Sequence, residues 1–178
     1  MKRINNWLLW LIFPLLVIHG LWGSFLLLGF HVPIIKSVSY VLTLAVVLHG
    51  LIGLLMTRDA VSIGLQTGHW YWKENARFWV IRLSGICIFV LLGFHACVFG
   101  KTVNGVFTLN EFTFLRMLSQ LLFLLAILVH LVAAARPWLI SLGIVNFGRR
   151  AWDCIVVSAI LTAFFTFAVI SYYIYGVF

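Results

Sequence analysis

Four histidines, His19, His49, His95 and His130, each fall inside a different long apolar stretch that is nearly free of charge. An ionisable side chain in hydrocarbon is costly and usually faces a partner inside a helix bundle. Imidazoles on facing helices are a standard way to hold haem iron, which takes two axial ligands from opposite sides. Four histidines on four segments therefore suit two six-coordinate haems.

The solvent of these segments follows from composition. The chain is 64% apolar and 9% charged, far from the roughly 45–50% and about 25% of soluble domains. It reads as an integral membrane protein, one domain over 178 residues, with no room for a soluble domain that acts on a polar metabolite. The formal charge of +8 does not point to nucleic acid, because Lys and Arg sit at the ends of apolar runs as orientation signals. Cys87, Cys97 and Cys154 lie in apolar runs without CxxC or CxxCH spacing, so neither a disulfide framework, a thiolate metal site nor covalent haem attachment is indicated, and they read as packing residues.

Five spans are predicted, at about residues 7–30, 38–56, 78–99, 114–135 and 152–175. Each has about the 20 residues that cross ~30 Å of hydrocarbon, and all five must be helices because open strands leave backbone groups unsatisfied in lipid. Pro33 and Lys36 punctuate the first connection. The stretch after Thr57 and Arg58, through Gly64, Gly68, His69, Trp70, Tyr71, Trp72, Lys73, Glu74 and Arg77, reads as an interfacial loop rich in headgroup-seeking aromatics. Arg136 and Pro137 are expected to stop the fourth span, and Trp138, Gly143, Asn146, Gly148, Arg149 and Arg150 to connect it to the fifth.

With the N-terminus inside, the inner side collects Lys2, Arg3, Arg58, Lys73, Arg77, Arg82, Arg136, Arg149 and Arg150, against Lys36, Lys101 and Arg116 outside. That positive-inside bias predicts a cytoplasmic N-terminus and, after five spans, an outer C-terminus. His19 lies sixteen residues after Arg3, and His95 thirteen after Arg82 or eighteen after Arg77. At 1.5 Å per residue both stand roughly 20–27 Å from the inner margin. His49, nine residues before Arg58, and His130, six before Arg136, stand roughly 9–14 Å from it. Depth therefore pairs His49 with His130 and His19 with His95.

His19-Gly20-Leu21-Trp22-Gly23 and His49-Gly50-Leu51-Ile52-Gly53 share an HGxxG pattern, and Gly85, Gly93 and Gly100 punctuate the third span. Such glycines admit a flat porphyrin to the backbone, or serve close helix packing. A cation transporter is disfavoured, since the four acids Asp59, Glu74, Glu111 and Asp153 all lie near span ends.

On these features the chain resembles the five-helix, di-haem cytochrome b membrane anchors of succinate dehydrogenases and fumarate reductases. The resemblance spans nearly the whole chain. It rests on one histidine in each of the first four helices, on the segment Phe78-Trp79-Val80-Ile81-Arg82-Leu83-Ser84-Gly85 that leads to His95, and on His49 followed by Arg58. It implies an all-α five-transmembrane-helix bundle enclosing two haems b in the inner membrane of a bacterium. Helix one would pair with helix three and helix two with helix four. Flavoprotein and iron-sulfur subunits would dock on the cytoplasmic side, and a membrane quinone, menaquinone or ubiquinone, would exchange electrons. A haem b subunit of another quinone-linked oxidoreductase, or a haem-free transporter or assembly factor, are the alternative readings.

Haem propionates want cationic partners. Arg58, Arg77, Arg82 and Arg136 are the inner candidates, and His31, Lys36, Lys101 and Arg116 the outer ones. Arg82 stands out, because it lies inside the third span in an Arg-x-Ser-Gly segment similar to one that shapes quinone or propionate contacts in related anchors. Some members use an acid two residues before the fourth-helix ligand and a carboxylate at an outer quinol site. Here Leu128 holds the first position, and Glu111 is the sole outer carboxylate, in a different loop. These departures favour an inner quinone site near His69, Trp70, Tyr71, Arg77, Arg82 and Ser84, where aromatic walls and hydrogen-bond donors are available. The competing reading of that cluster is an aromatic belt and a docking surface.

Overall fold

The computed structural model describes residues 1–32, 36–103, 106–144 and 152–176. Pro33, Asn146, Gly148, Arg149 and Arg150 lie outside the described residues. The described residues form five helices: α1 (Lys2–Leu27), α2 (Lys36–Thr67), α3 (Ala76–Val98), α4 (Phe114–Ser141) and α5 (Trp152–Tyr175). All five are long and apolar enough to cross a membrane. The chain is a five-helix bundle of the integral membrane kind, as composition requires.

Helix α1 begins at Lys2 rather than near Trp7 and ends at Leu27 rather than near Phe30; two larger departures have a local cause. Helix α2 does not stop near Met56 but continues for about three turns, through Thr67. The polar residues of this extension turn their hydroxyls onto the helix itself: Thr57 Oγ1 donates to Gly53 O at 2.7 Å and Thr67 Oγ1 to Ile63 O at 2.8 Å. The helix ends where Gly68 takes a left-handed φ of 71°. The interfacial loop is thus confined to the stretch between α2 and α3. Helix α4 runs through Arg136 and Pro137 to Ser141, and turns at Gly143 with φ 73°. Proline removes one backbone donor, a loss that helices in membranes tolerate when neighbours pack around the break. Here Trp138 lies edge-on to Trp10, ring centres 5.7 Å apart, and Asn6 Nδ2 donates to Ser141 Oγ.

A further departure lies between α3 and α4, where a short antiparallel hairpin forms from β1 (Gly100–Val103) and β2 (Val106–Leu109), with Gly100 opposite Leu109. Periodicity in so short a connection carries no strand signal. Its described strands pair with each other, and the residue after them is tied to α3 and α5. Asn110 Nδ2 donates to Val98 O at 3.0 Å, and Tyr172 Oη from α5 donates to Asn110 O at 2.9 Å. Around this cap lies the apolar core of buried Leu27, Ala168, Val169 and Tyr172, with Phe99, Phe112 and Met117 against it.

The helices close into a ring in chain order. Seams join α1 to α2, α2 to α3, α3 to α4 and α4 to α5, and α5 returns to α1; the α2–α3 seam is the thinnest. Among the described residues neither α1 with α3 nor α2 with α4 shares an extended seam. The accessible surface is 11714 Å², against roughly 8,800 Å² for a compact soluble monomer of this size. The excess fits helices that touch along narrow seams and face lipid elsewhere. Buried side chains along the seams include Ser24, Thr57, Ser84, Gln120, Ser158 and Thr162, so these polar residues of the spans point inward.

Tyr172→Phe removes only the bond to the Asn110 carbonyl. The expected loss is about 1 kcal/mol, read in detergent as a fall of roughly 2–4 °C in thermal midpoint. An unchanged midpoint would show that this bond adds nothing to the stability of the cap.

Candidate functional site: two histidine pairs across the helix ring

Each of the four histidines reaches the ring interior from a different helix, and they meet in two pairs. His19 of α1 and His95 of α3 have ring centres 5.9 Å apart, with planes inclined at 70°. His49 of α2 and His130 of α4 have centres 6.3 Å apart, with planes at 88°. Both pairs span the ring between helices that share no extended seam, and they are the pairs that equal depth assigns. Consecutive helices run in opposite directions, so the His49–His130 pair lies nearer the end that holds the N-terminus.

The spacing has chemical meaning. Two imidazoles that bind one metal ion from opposite sides, at about 2.0–2.1 Å per metal–nitrogen bond and about 1.1 Å from nitrogen to ring centre, stand with centres roughly 6.3 Å apart. Rings that share such an axis can be rotated about it freely, so steep interplanar angles are compatible with it. Among the described residues no group of three or more His, Cys, Asp or Glu comes together. A bare ion would want three or four protein ligands. Two axial imidazoles are what a porphyrin-bound iron needs from the protein, and the residues present fit that group.

Hydrogen bonds fix which ring nitrogen is available. His130 Nδ1 lies 3.2 Å from the Ile81 carbonyl and 3.1 Å from Ser84 Oγ. A carbonyl only accepts, so Nδ1 carries the proton. Ser84 commits its own proton to Val80 O at 2.6 Å and can accept from the imidazole. His95 Nδ1 lies 2.8 Å from Gln120 Oε1, again an acceptor only. In both cases Nε2 keeps its lone pair. His19 Nδ1 is 3.2 Å from Ser39 Oγ. His49 Nδ1 is buried and has no hydrogen-bond partner among the described residues. Outer partners of this kind orient metal-binding histidines and set their tautomer.

The glycines differ in how closely neighbouring side chains approach them. A Cβ on Gly20 would stand 2.5 Å from the Phe165 ring, one on Gly50 would stand 3.4 Å from Phe89, and one on Gly85 would stand 3.4 Å from His130 Cε1. These serve close packing of side chains, including the ring of one candidate ligand. Gly23 and Gly93 meet nothing within 4 Å.

Cationic candidates scatter more widely. Arg82 is part-buried in α3, where its guanidinium lies 5.1 Å over the Phe78 ring and reaches toward Gly53 of α2; it also interacts electrostatically with His49 and His130. Arg58 and Arg77 are exposed at the same end, and Arg136 is part-buried in α4. Lys101 lies exposed on β1 at the opposite end, where Arg116 donates to Glu111 O.

The inner aromatic cluster is not one site. Trp70 packs over Gly64 and against Trp72 and Trp79, and its carbonyl accepts from Trp79 Nε1 at 3.1 Å. His69 and Tyr71 are exposed and lie together, with Tyr71 in a left-handed conformation at φ 48°. Ser84 faces His130 rather than the loop. Arg82 instead lines a lateral groove of about 440 Å³ at the thin α2–α3 seam, with Thr57, Arg58, Ser62, Trp79 and Leu83.

Ser39 and Gln120, the partners of His19 and His95, were not foreseen. Their signal was present: a polar side chain inside an apolar run is costly and must face a partner. Compared with protein-family models, curated proteins and solved structures, the chain gives no match.

Ser84→Ala removes one of two partners of His130 Nδ1 and leaves the Ile81 carbonyl. The expected cost is about 1 kcal/mol in thermal unfolding. Gly85→Val drives a branched side chain into the His130 ring and should cost clearly more, by about 1–3 kcal/mol. Equal losses for the two variants would contradict this placement of His130.

Proposed function

We propose that this chain is the cytochrome b membrane-anchor subunit of a succinate dehydrogenase or fumarate reductase complex, carrying two haems b and passing electrons between an iron-sulfur subunit and a membrane quinone. The observation that carries the reading is the meeting of four histidines in two pairs across a closed helix ring. Their spacing suits one iron per pair, and two of the four rings have a fixed tautomer that leaves Nε2 free. Each haem, when bound, supplies reversible one-electron transfer.

The residues of the chain have distinct tasks in this reading. His49 and His130 hold the inner cofactor, and His19 and His95 the outer one. Ser39, Ser84, Gln120 and the Ile81 carbonyl keep three of the four imidazoles oriented. Arg82, close to the inner pair, offers a propionate its charge, with Arg58, Arg77 and Arg136 toward the same end and Lys101 toward the other. The basic bias supports a cytoplasmic N-terminus in the inner membrane of a bacterium, on the side where the soluble flavoprotein and iron-sulfur subunits would dock.

Quinone exchange is assigned to the α2–α3 groove. Its volume lies within the range of about 300–1,000 Å³ typical of small-molecule sites. Its apolar flank formed by Leu54, Val61 and Leu83 opens toward lipid, and Arg82, Arg58 and Thr57 supply polar groups. Of the inner cluster, Arg82 alone lines this groove together with its Trp79 neighbour; His69 and Tyr71 are left to the membrane margin.

A reduced-minus-oxidised spectrum of the purified complex should show a low-spin b-type signal, and haem analysis two haems per chain. His49→Ala and His95→Ala should each lower that count by one. A wild-type preparation without the signal, or variants with an unchanged count, would sink the haem assignment. Arg82→Ala, with both haems retained, should slow quinone turnover about tenfold, the equivalent of one hydrogen bond to a charged group. Unchanged turnover would remove the groove from consideration.

A further inference from the structure

We propose that Gln120 is the positioning residue of the outer histidine pair, and that its amide, through His95, sets the reduction potential of the cofactor held there. The inference rests on the haem reading above. It concerns a residue to which the resemblance assigns no role.

Gln120 is 2% exposed, a neutral amide buried in the first half of α4. Its orientation is dictated by what lies on either side. Nε2 donates to Ser119 Oγ at 3.0 Å, and Ser119 gives its own proton to the Arg116 carbonyl at 2.7 Å. Ser119 therefore has only a lone pair to offer, so the amide nitrogen must face it. Rotating the amide by half a turn would set its oxygen against that lone pair and its NH₂ against His95. The oxygen is thus committed to His95 Nδ1 at 2.8 Å. Nδ1 must donate, and Nε2 is left as the ligating atom. The imidazole is also wedged between Phe123, 4.8 Å away, and Phe99, 5.1 Å away.

The two pairs are served differently. His130 is oriented by the Ile81 carbonyl, a backbone group that no substitution can remove, with Ser84 beside it. His95 depends on a side chain. An acceptor on the distal nitrogen makes an imidazole a stronger electron donor to its metal, and outer hydrogen bonding is one of the means by which a protein tunes haem iron. A carboxylate in place of the amide would favour the oxidised iron and lower the potential. A side chain of similar length without an acceptor would raise it.

The test is a redox titration of the assembled complex, followed optically, for wild type, Gln120→Glu and Gln120→Met, with haem stoichiometry measured in parallel. Gln120→Glu should keep two haems and shift one component downward by about tenfold in its oxidised-to-reduced ratio, about 59 mV for a one-electron couple. Gln120→Met should shift the same component upward, or lose that haem alone. In both variants the other component should keep its wild-type midpoint. Unchanged midpoints in both variants, equal shifts of both components, or loss of both haems from every variant would overturn the assignment, because a mere packing residue would behave so. If only one variant assembles, its own titration decides. A wild-type complex without b-type haem would overturn the underlying reading instead, so the two failures are distinguishable.

Discussion

Hydrocarbon offers no water to a polar side chain, and that constraint organises this bundle. Each imidazole in a span must turn inward, because the lipid side offers it nothing. Once inward, three of the four find an acceptor or a hydroxyl on the next helix in the chain or on the one before: Ser39 of α2 for His19 of α1, Gln120 of α4 for His95 of α3, Ser84 and Ile81 of α3 for His130 of α4. Neighbouring helices thus supply the orientation, and helices across the ring supply the facing histidine. The seams and the pairs divide the work between them.

The two ends of the ring are finished differently. At the end away from the N-terminus, a hairpin, an asparagine and a tyrosine tie α3, α4 and α5 together over the apolar core. At the other end α2 projects beyond its expected span, the α2–α3 seam thins, and arginines line a groove open to the side. In the proposed reading the closed end keeps the outer pair dry, and the open end admits a lipid-soluble partner beside the inner pair.

Much of this was legible in the sequence. The number of spans follows from composition and length, since nothing but helices of about 20 residues solves the backbone problem in lipid. The pairing of histidines follows from counting residues to the nearest arginine, because the rise per residue is fixed. What was not legible depended on local choices that periodicity does not record. Thr57 and Thr67 could satisfy themselves within a helix or in a loop, and the chain took the helix. Pro137 marked a stop that packing against Trp10 overrode. The cluster expected to form a quinone site looked like one group because its members are near in sequence; in space Ser84 turns to His130, while His69 and Tyr71 lie exposed. Gln120 carried a signal equal to that of the histidines, an amide inside an apolar run, and needed only to be counted among them.

The bond between Tyr172 and Asn110 joins residues 62 apart in the chain. A ribosome that inserts this chain makes α1 to α4 and the hairpin well before it makes the tyrosine that fastens them. For that interval all four histidines are in the membrane while the far end of the ring lacks its clasp. The fold therefore has a natural order of assembly: histidines first, closure last.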